Sequence, residues 1–189
     1  DGNQVVVVVS AMGRRPSPYA TDTLLDLLAQ YNMDADTREK DAIAACGEVI
    51  STAVLASALK AEGLKAMSFT GLQAGILTDG NFTDARIASI DASRLRQAMS
   101  LGVIPVVAGF QGADSAGNVT TLGRGGSDTT AAALGAALKA DKVEIFTDVE
   151  GVMTADPRIV PEARFQRNIS YHDMAEMANL GSKVVHPRA

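Results

Sequence analysis

Thr120-Thr-Leu-Gly-Arg-Gly-Gly-Ser-Asp-Thr-Thr-Ala-Ala-Ala-Leu134 is the stretch from which the rest of the sequence can be read. A turn with almost no side-chain bulk runs straight into an alanine-rich helix. Gly123, Gly125 and Gly126 can take the positive φ values of a tight anion-wrapping turn. Ser127 or Asp128 is expected to cap the helix, and Ala131 to Leu138 is a strong helix-forming run. Backbone N–H groups at such a helix start converge where the macrodipole also favours negative charge. Arg124 adds a planar fork of donors that matches a carboxylate or phosphate bidentately. Asp128 is an anion where an anionic ligand is expected, so it either caps the helix or positions a nearby lysine.

Outward from that turn, the 189 residues, 47% hydrophobic and 21% charged, read as one globular domain over residues 1–189. The net charge of −5, with no basic block, argues against nucleic acid and anionic membrane as partners. Val5 to Val9 is too short to span a bilayer, and no other run is expected to approach ~20 apolar residues. The single cysteine, Cys46, reads as a core thiol, a usage that fits a reducing cytoplasm. The sequence opens at Asp1 without a methionine and stops at Ala189 as a new segment begins, so both ends read as cuts in a longer protein.

In chain order, Val5 to Val9 predicts a strand buried on both faces, ending in the small residues Ser10-Ala-Met-Gly13. Arg14 and Arg15 follow, as ordinary loop arginines or as anion contacts. Thr23 to Gln30 predicts a helix with Leu24, Leu25, Leu27 and Leu28 inward. Asp36-Thr-Arg-Glu39 starts a long helix closed by Gly63, with Ile43, Cys46, Val49, Ile50, Ala53, Val54 and Leu59 as its apolar stripe. Gly47-Glu48 interrupts that stripe, which predicts a break or a close approach, and Glu48 reads equally as a solvated charge or a functional group. Strands are expected at Lys65–Thr70, Arg86–Ile90, Val103–Ala108 and Val143–Thr147. A loop is expected at Gly71–Gly75, a helix at Ala92–Leu101 after Asp91, a hairpin at Ala113–Val119, and a helix at about Tyr171–Leu180 behind a Ser170 cap. This alternation predicts an α/β three-layer sandwich, a mostly parallel central sheet with helices on both faces.

Arg124, Asp148, the loop carrying Asp156 and Arg158, and Lys183 all fall near the carboxyl ends of the later strands. Cationic groups with two or three carboxylates suit a polyanion with a metal, as phosphoryl transfer requires. No Walker pattern and no Gly-x-Gly-x-x-Gly after the first strand is present. His172 and His186 are too far apart for a metal cluster or a recognisable triad.

Thr121-Leu-Gly-Arg-Gly-Gly-Ser-Asp128, Phe146-Thr-Asp-Val-Glu-Gly151, Thr154-Ala-Asp-Pro-Arg158 and Gly181-Ser-Lys-Val-Val-His-Pro187 together resemble the aspartate kinases of the amino acid kinase family. The likeness also takes in Ser10-Ala-Met-Gly13, Gly47-Glu48 and Ala108-Gly-Phe-Gln-Gly112, and covers essentially the whole chain. It implies transfer of the ATP γ-phosphate to the β-carboxylate of L-aspartate, the first step toward lysine, threonine and methionine. Glu48 would pair with the substrate ammonium, and Arg124 with a substrate carboxylate beside Ser127. Asp128 and Lys183 would be catalytic, Asp128 by orienting lysines. Thr147, Asp148, Met153, Thr154, Ala155, Asp156, Pro157, Arg158 and Lys183 would hold the nucleotide, with Mg2+ bound chiefly by phosphate oxygens and water.

Met153 stands where an aromatic residue is common in the family, and the family's opening Lys-Phe/Tyr-Gly-Gly strand would precede Asp1. The resemblance therefore implies impaired turnover for these residues alone, and a homo- or hetero-oligomer for the full-length protein. Two rivals stand beside it. One is a relative acting on acetylglutamate, glutamate, carbamate or UMP, against which the Glu48 and Arg124 pair argues. The other is a non-catalytic nucleotide-binding or subunit-interaction module.

Overall fold

The strand Ile104–Ala108 (β5) shows why the chain layers as it does. Val106 and Val107 are both fully buried, yet alternation along a strand sends them to opposite faces. Val106 packs with Ala56 and Ala66 against one helix layer. Val107 packs with Phe69, Leu95, Ala98 and Leu134 against the other. A strand covered on both faces has to be apolar at successive positions, and Val103 to Ala108 is.

These relations come from a computed structural model describing residues 2–147, 151–156, 159–180 and 184–189. β5 lies between β1 (Val7–Val9) and β2 (Ala66–Phe69), parallel to both, in the order β1-β5-β2. The helix Cys46–Ala61 (α3) covers one face, while Ser93–Ser100 (α4) and Gly126–Leu138 (α5) cover the other. The α/β three-layer arrangement is therefore as expected. Val7 to Val9 is only half-buried, because β1 is an edge strand among the described residues.

A second sheet is mixed, in the order β4-β3-β6-β7. Its strands are Ile76–Thr78 (β3), Ile87–Ile90 (β4), Gln111–Ala113 (β6) and Val119–Thr121 (β7). β3 and β6 are parallel, whereas β3–β4 and β6–β7 are antiparallel. The expected hairpin is present as β6–β7, and it delivers the chain to the Gly-rich turn. β3 has no counterpart in the sequence reading, because three residues are too few to show a period.

The predicted long helix is broken in two. Thr37–Ala44 (α2) is capped by Asp36, whose side chain accepts from the Glu39 N–H, and α3 restarts after Ala45. Gly47 sits at the break for a steric reason: a Cβ there would lie 2.7 Å from the Ala11 Cβ and 2.8 Å from the Tyr19 carbonyl oxygen. The buried face of α3 is Gly47, Glu48, Ser51, Thr52 and Ala56, not the apolar stripe read from the sequence. Ser51 and Thr52 tolerate burial because their hydroxyls donate to the Gly47 and Val49 carbonyls, at 3.1 and 2.7 Å. Cys46, Ala53 and Val54 lie outside this face, and Cys46 is exposed rather than in the core.

Thr37–Ala61 is long and apolar enough to cross a membrane by length and composition, contrary to the sequence expectation. It is folded as the α2–α3 pair, with Glu48 buried within it. The helix Thr21–Tyr31 (α1) is longer than predicted and buries no residue fully, and its Leu27 is 46% exposed.

Val143 to Thr147 is exposed and forms no strand. A strand needs a neighbour to take its N–H and C=O groups, so apolar content alone does not make one. Further on, Met153 bridges Phe165, and Ser170 caps the helix Tyr171–Asn179 (α6) by accepting from the Asp173 N–H.

Candidate active site

The carboxyl ends of β1 and β5, the N-terminus of α1 and the turn before α5 surround a cleft of about 360 Å³. Ser10, Ala11, Gly13, Arg14, Thr21, Glu48, Phe110 and Gly123 through Asp128 are among its lining residues. Loops at the carboxyl ends of parallel strands are where α/β sheets commonly take ligands, and Ser10 to Gly13 is such a loop.

Glu48 comes from the first turn of α3 and is 3% exposed. Its Oε1 accepts from the Ala11 N–H at 3.0 Å, while its Oε2 is buried with no hydrogen-bond partner. Burial pushes the carboxyl up to about 7, outweighing the Ala11 amide bond that pulls the other way. A buried carboxyl oxygen without a donor is costly, so a cationic or hydrogen-bond-donating ligand in the cleft would be strongly favoured. The solvated-charge reading of Glu48 is thereby set aside.

The turn opposite is built as the glycines predict, with one correction. Gly123 and Gly125 take φ of +71° and +68°. Gly126 instead begins α5, and its missing side chain makes room for Phe110, whose Cα would lie 3.0 Å from a Cβ there. The N-cap is Gly125 rather than Ser127 or Asp128, and no side chain caps the helix. The helix starts early because the Gly126 N–H reaches the Gly123 carbonyl at 3.1 Å, while the Thr129 and Thr130 hydroxyls donate to the Gly125 and Gly126 carbonyls. The Ser127 and Asp128 amides carry no side-chain cap and are left for an anion in the cleft.

Arg124 is exposed at the rim and has no hydrogen-bond or ion-pair partner among the described residues. Ser127 packs against Gly109, where a Cβ would come within 2.8 Å of its Oγ. Asp128, in the first turn of α5, has its carboxyl raised above the ordinary range by desolvation, offset in part by His186. His186 packs against Gly125, a neighbour that sequence spacing alone did not disclose. Glu48, Arg124, Ser127 and Asp128 therefore share one cleft.

The proposed nucleotide contacts are placed differently. Thr147 is exposed, and Met153, Thr154, Ala155 and Asp156 form a loop tied to Arg164–Gln166. None of them lines the 360 Å³ cleft. Asp148, Pro157, Arg158 and Lys183 lie outside the described residues. Sequence reasoning also passed over Thr21, brought to the cleft by the start of α1, and Asp41, whose partners are distant in sequence.

The α/β sandwich thus places an uncapped glycine turn and a buried, unpartnered carboxyl oxygen in one cleft. The chain belongs to the amino acid kinase family, whose profile matches residues 1–189. It is 53% identical over 188 residues to the aspartokinase of Geobacillus stearothermophilus, covering 100% of this chain and 45% of that protein. Aspartokinase 1 of Bacillus subtilis is 51% identical over 189 residues, again over 100% of this chain and 47% of the relative. The chain thus spans a little under half the length of these relatives.

Among solved structures, aspartate kinase from Synechocystis superposes with a TM-score of 0.80 at 47% identity, covering 100% of this chain and 30% of that one. E. coli aspartokinase III in complex with aspartate and ADP superposes at 0.79 with 34% identity, over 88% of this chain and 38% of that one. Isopentenyl phosphate kinase, at 0.66 and 21% identity over 98% of this chain and 76% of that one, shares the fold.

Proposed function

We propose that this chain takes part in ATP-dependent phosphorylation of the β-carboxylate of L-aspartate, in the cytoplasm, on the route to lysine, threonine and methionine. The observation that carries the reading is the buried, unpartnered Oε2 of Glu48 in the same cleft as the free fork of Arg124. A zwitterionic amino acid presents one ammonium and at least one carboxylate, and these two groups meet both. The likeness to an aspartokinase solved with aspartate and ADP supports the same assignment.

In this reading Arg124 holds a substrate carboxylate bidentately, and Glu48 holds the ammonium. The β-carboxylate oxygen attacks the γ-phosphorus, the bond to the β–γ bridging oxygen breaks, and ADP leaves. No proton needs to be removed, because the nucleophile is already ionised near neutral pH. Asp128 therefore serves to orient cationic groups, with Lys183 as the family's candidate. The uncapped amides of α5 oppose charge on the transferring group. Thr147, Asp148 and Met153 to Arg158 would follow the nucleotide. Among the described residues no three His, Cys, Asp or Glu side chains converge, so Mg2+ would draw most of its ligands from phosphate oxygens and water.

Because burial pushes the Glu48 carboxyl up to about 7, aspartate affinity should depend on pH. Below that value the carboxyl is protonated and must lose a proton before pairing with the ammonium. Affinity should therefore fall about tenfold per pH unit below about 7, and be flat above it with respect to this group. Calorimetric titration between pH 5.5 and 8.5 would show this, and Glu48→Gln should remove the dependence. A flat profile in the unsubstituted protein would contradict the role of Glu48.

A further inference from the structure

Asp41 lies on α2 and is 1% exposed, yet no described basic side chain pairs with it. Its carboxyl accepts instead from the Thr83 N–H through both oxygens, at 2.9 and 3.1 Å. It also accepts from the Thr121 N–H at 2.8 Å and the Thr121 hydroxyl at 2.7 Å. Thr83 holds a φ of +69°, unfavourable for a β-branched residue, so its amide is pinned where the chain would not place it unaided.

Those contacts join the two halves of the cleft. Thr121 ends β7, two residues before Gly123 and three before Arg124. Its carbonyl accepts from the Ala85 N–H at 2.9 Å, so the loop that Asp41 grips is also laced to this strand. Arg188 extends the lacing outward, donating to the Leu122 carbonyl at 3.1 Å and pairing with Asp84 at 2.8 Å. On the other side, α2 passes through Ala45 alone into α3, whose first turn carries Glu48. The Ala45 carbonyl is fixed in turn by the Gln111 side chain at 2.9 Å. Asp41 is therefore a short, rigid tie between the helix pair presenting Glu48 and the strand presenting Arg124.

We infer that Asp41 is a positioning residue that sets the separation of the ammonium-binding and carboxylate-binding sides of the cleft. The inference rests on the aspartate reading given above. Asn keeps one acceptor oxygen at this site but cannot serve all the donors, so Asp41→Asn loosens the tie without leaving a cavity. A misplacement of about 1 Å between two recognition groups costs up to about a hundredfold.

The test is steady-state kinetics of the full-length chain with aspartate and ATP varied separately, together with Tm and hydrogen exchange at the bonded amides of Ala11 and Gly126. Asp41→Asn should raise the aspartate KM about tenfold to a hundredfold, leave the ATP KM nearly unchanged, and speed exchange at both amides. Thr121→Val, which removes one donor and keeps the shape, should move the same quantities less, and the double variant should fall short of the product of the two. It also decides the question if Asp41→Asn does not fold. Asp36→Ala removes the α2 cap and should lower Tm while sparing the aspartate KM and both amides. Equal rises in both KM values, or an aspartate KM that tracks Tm across all three variants, would overturn the positioning role. Accelerated exchange with no aspartate turnover even in the unsubstituted chain would instead overturn the substrate reading and leave the tie standing.

Discussion

Truncation of Glu48 to alanine should raise the KM for aspartate by about one and a half to three and a half powers of ten while scarcely changing the KM for ATP. Removing one member of a desolvated, hydrogen-bonded charge pair typically costs about 2–5 kcal/mol, and each 1.4 kcal/mol is roughly tenfold. Glu48 meets the structural condition for that range, being 3% exposed with one oxygen held by the Ala11 amide and the other unpartnered. The effect should be confined to the substrate that carries an ammonium group. Steady-state kinetics with each substrate varied at saturating levels of the other would measure it. Equal changes in both KM values would mean that the substitution disturbed the α3 break at Gly47 rather than an amine contact.

Arg124→Lys should abolish most turnover although the charge is conserved. The guanidinium offers a planar fork, and a single ammonium cannot reproduce two parallel hydrogen bonds to one carboxylate. Arg124 is free to do this because it lies at the rim, on a turn fixed by Gly123 and Gly125. Nucleotide binding, followed by fluorescence of a labelled ATP analogue, should persist. Near-normal turnover with lysine would show that only net positive charge is needed there.

Much of this site was legible in the sequence because its signals are local. Gly123 and Gly125 announce positive φ within a few residues of the helix they precede, and both adopt it. Gly47 announced a break or a close approach, and the structure has both, at Ala45 and against Ala11. The buried polar face of α3 was not legible, since Ser51 and Thr52 satisfy their hydroxyls within their own helix and so pass as surface residues. Asp41 was hidden more deeply. Its partners Thr83 and Thr121 lie 42 and 80 residues away, a relation that no periodicity carries. The exposed run from Val143 to Thr147 shows the converse error, a local apolar pattern with no neighbouring strand among the described residues.

The most direct test of the account is to trap the product. An acyl phosphate reacts with hydroxylamine to give a hydroxamate, so the full-length chain can be incubated with ATP, Mg2+, hydroxylamine and either aspartate or succinate. Succinate keeps both carboxylates and lacks only the ammonium that Glu48 is assigned to hold. The account predicts ATP-dependent aspartyl hydroxamate from aspartate and little product from succinate, with Glu48→Ala narrowing the difference between them. Equal hydroxamate from the two acids, or none from aspartate while ADP still accumulates, would contradict it.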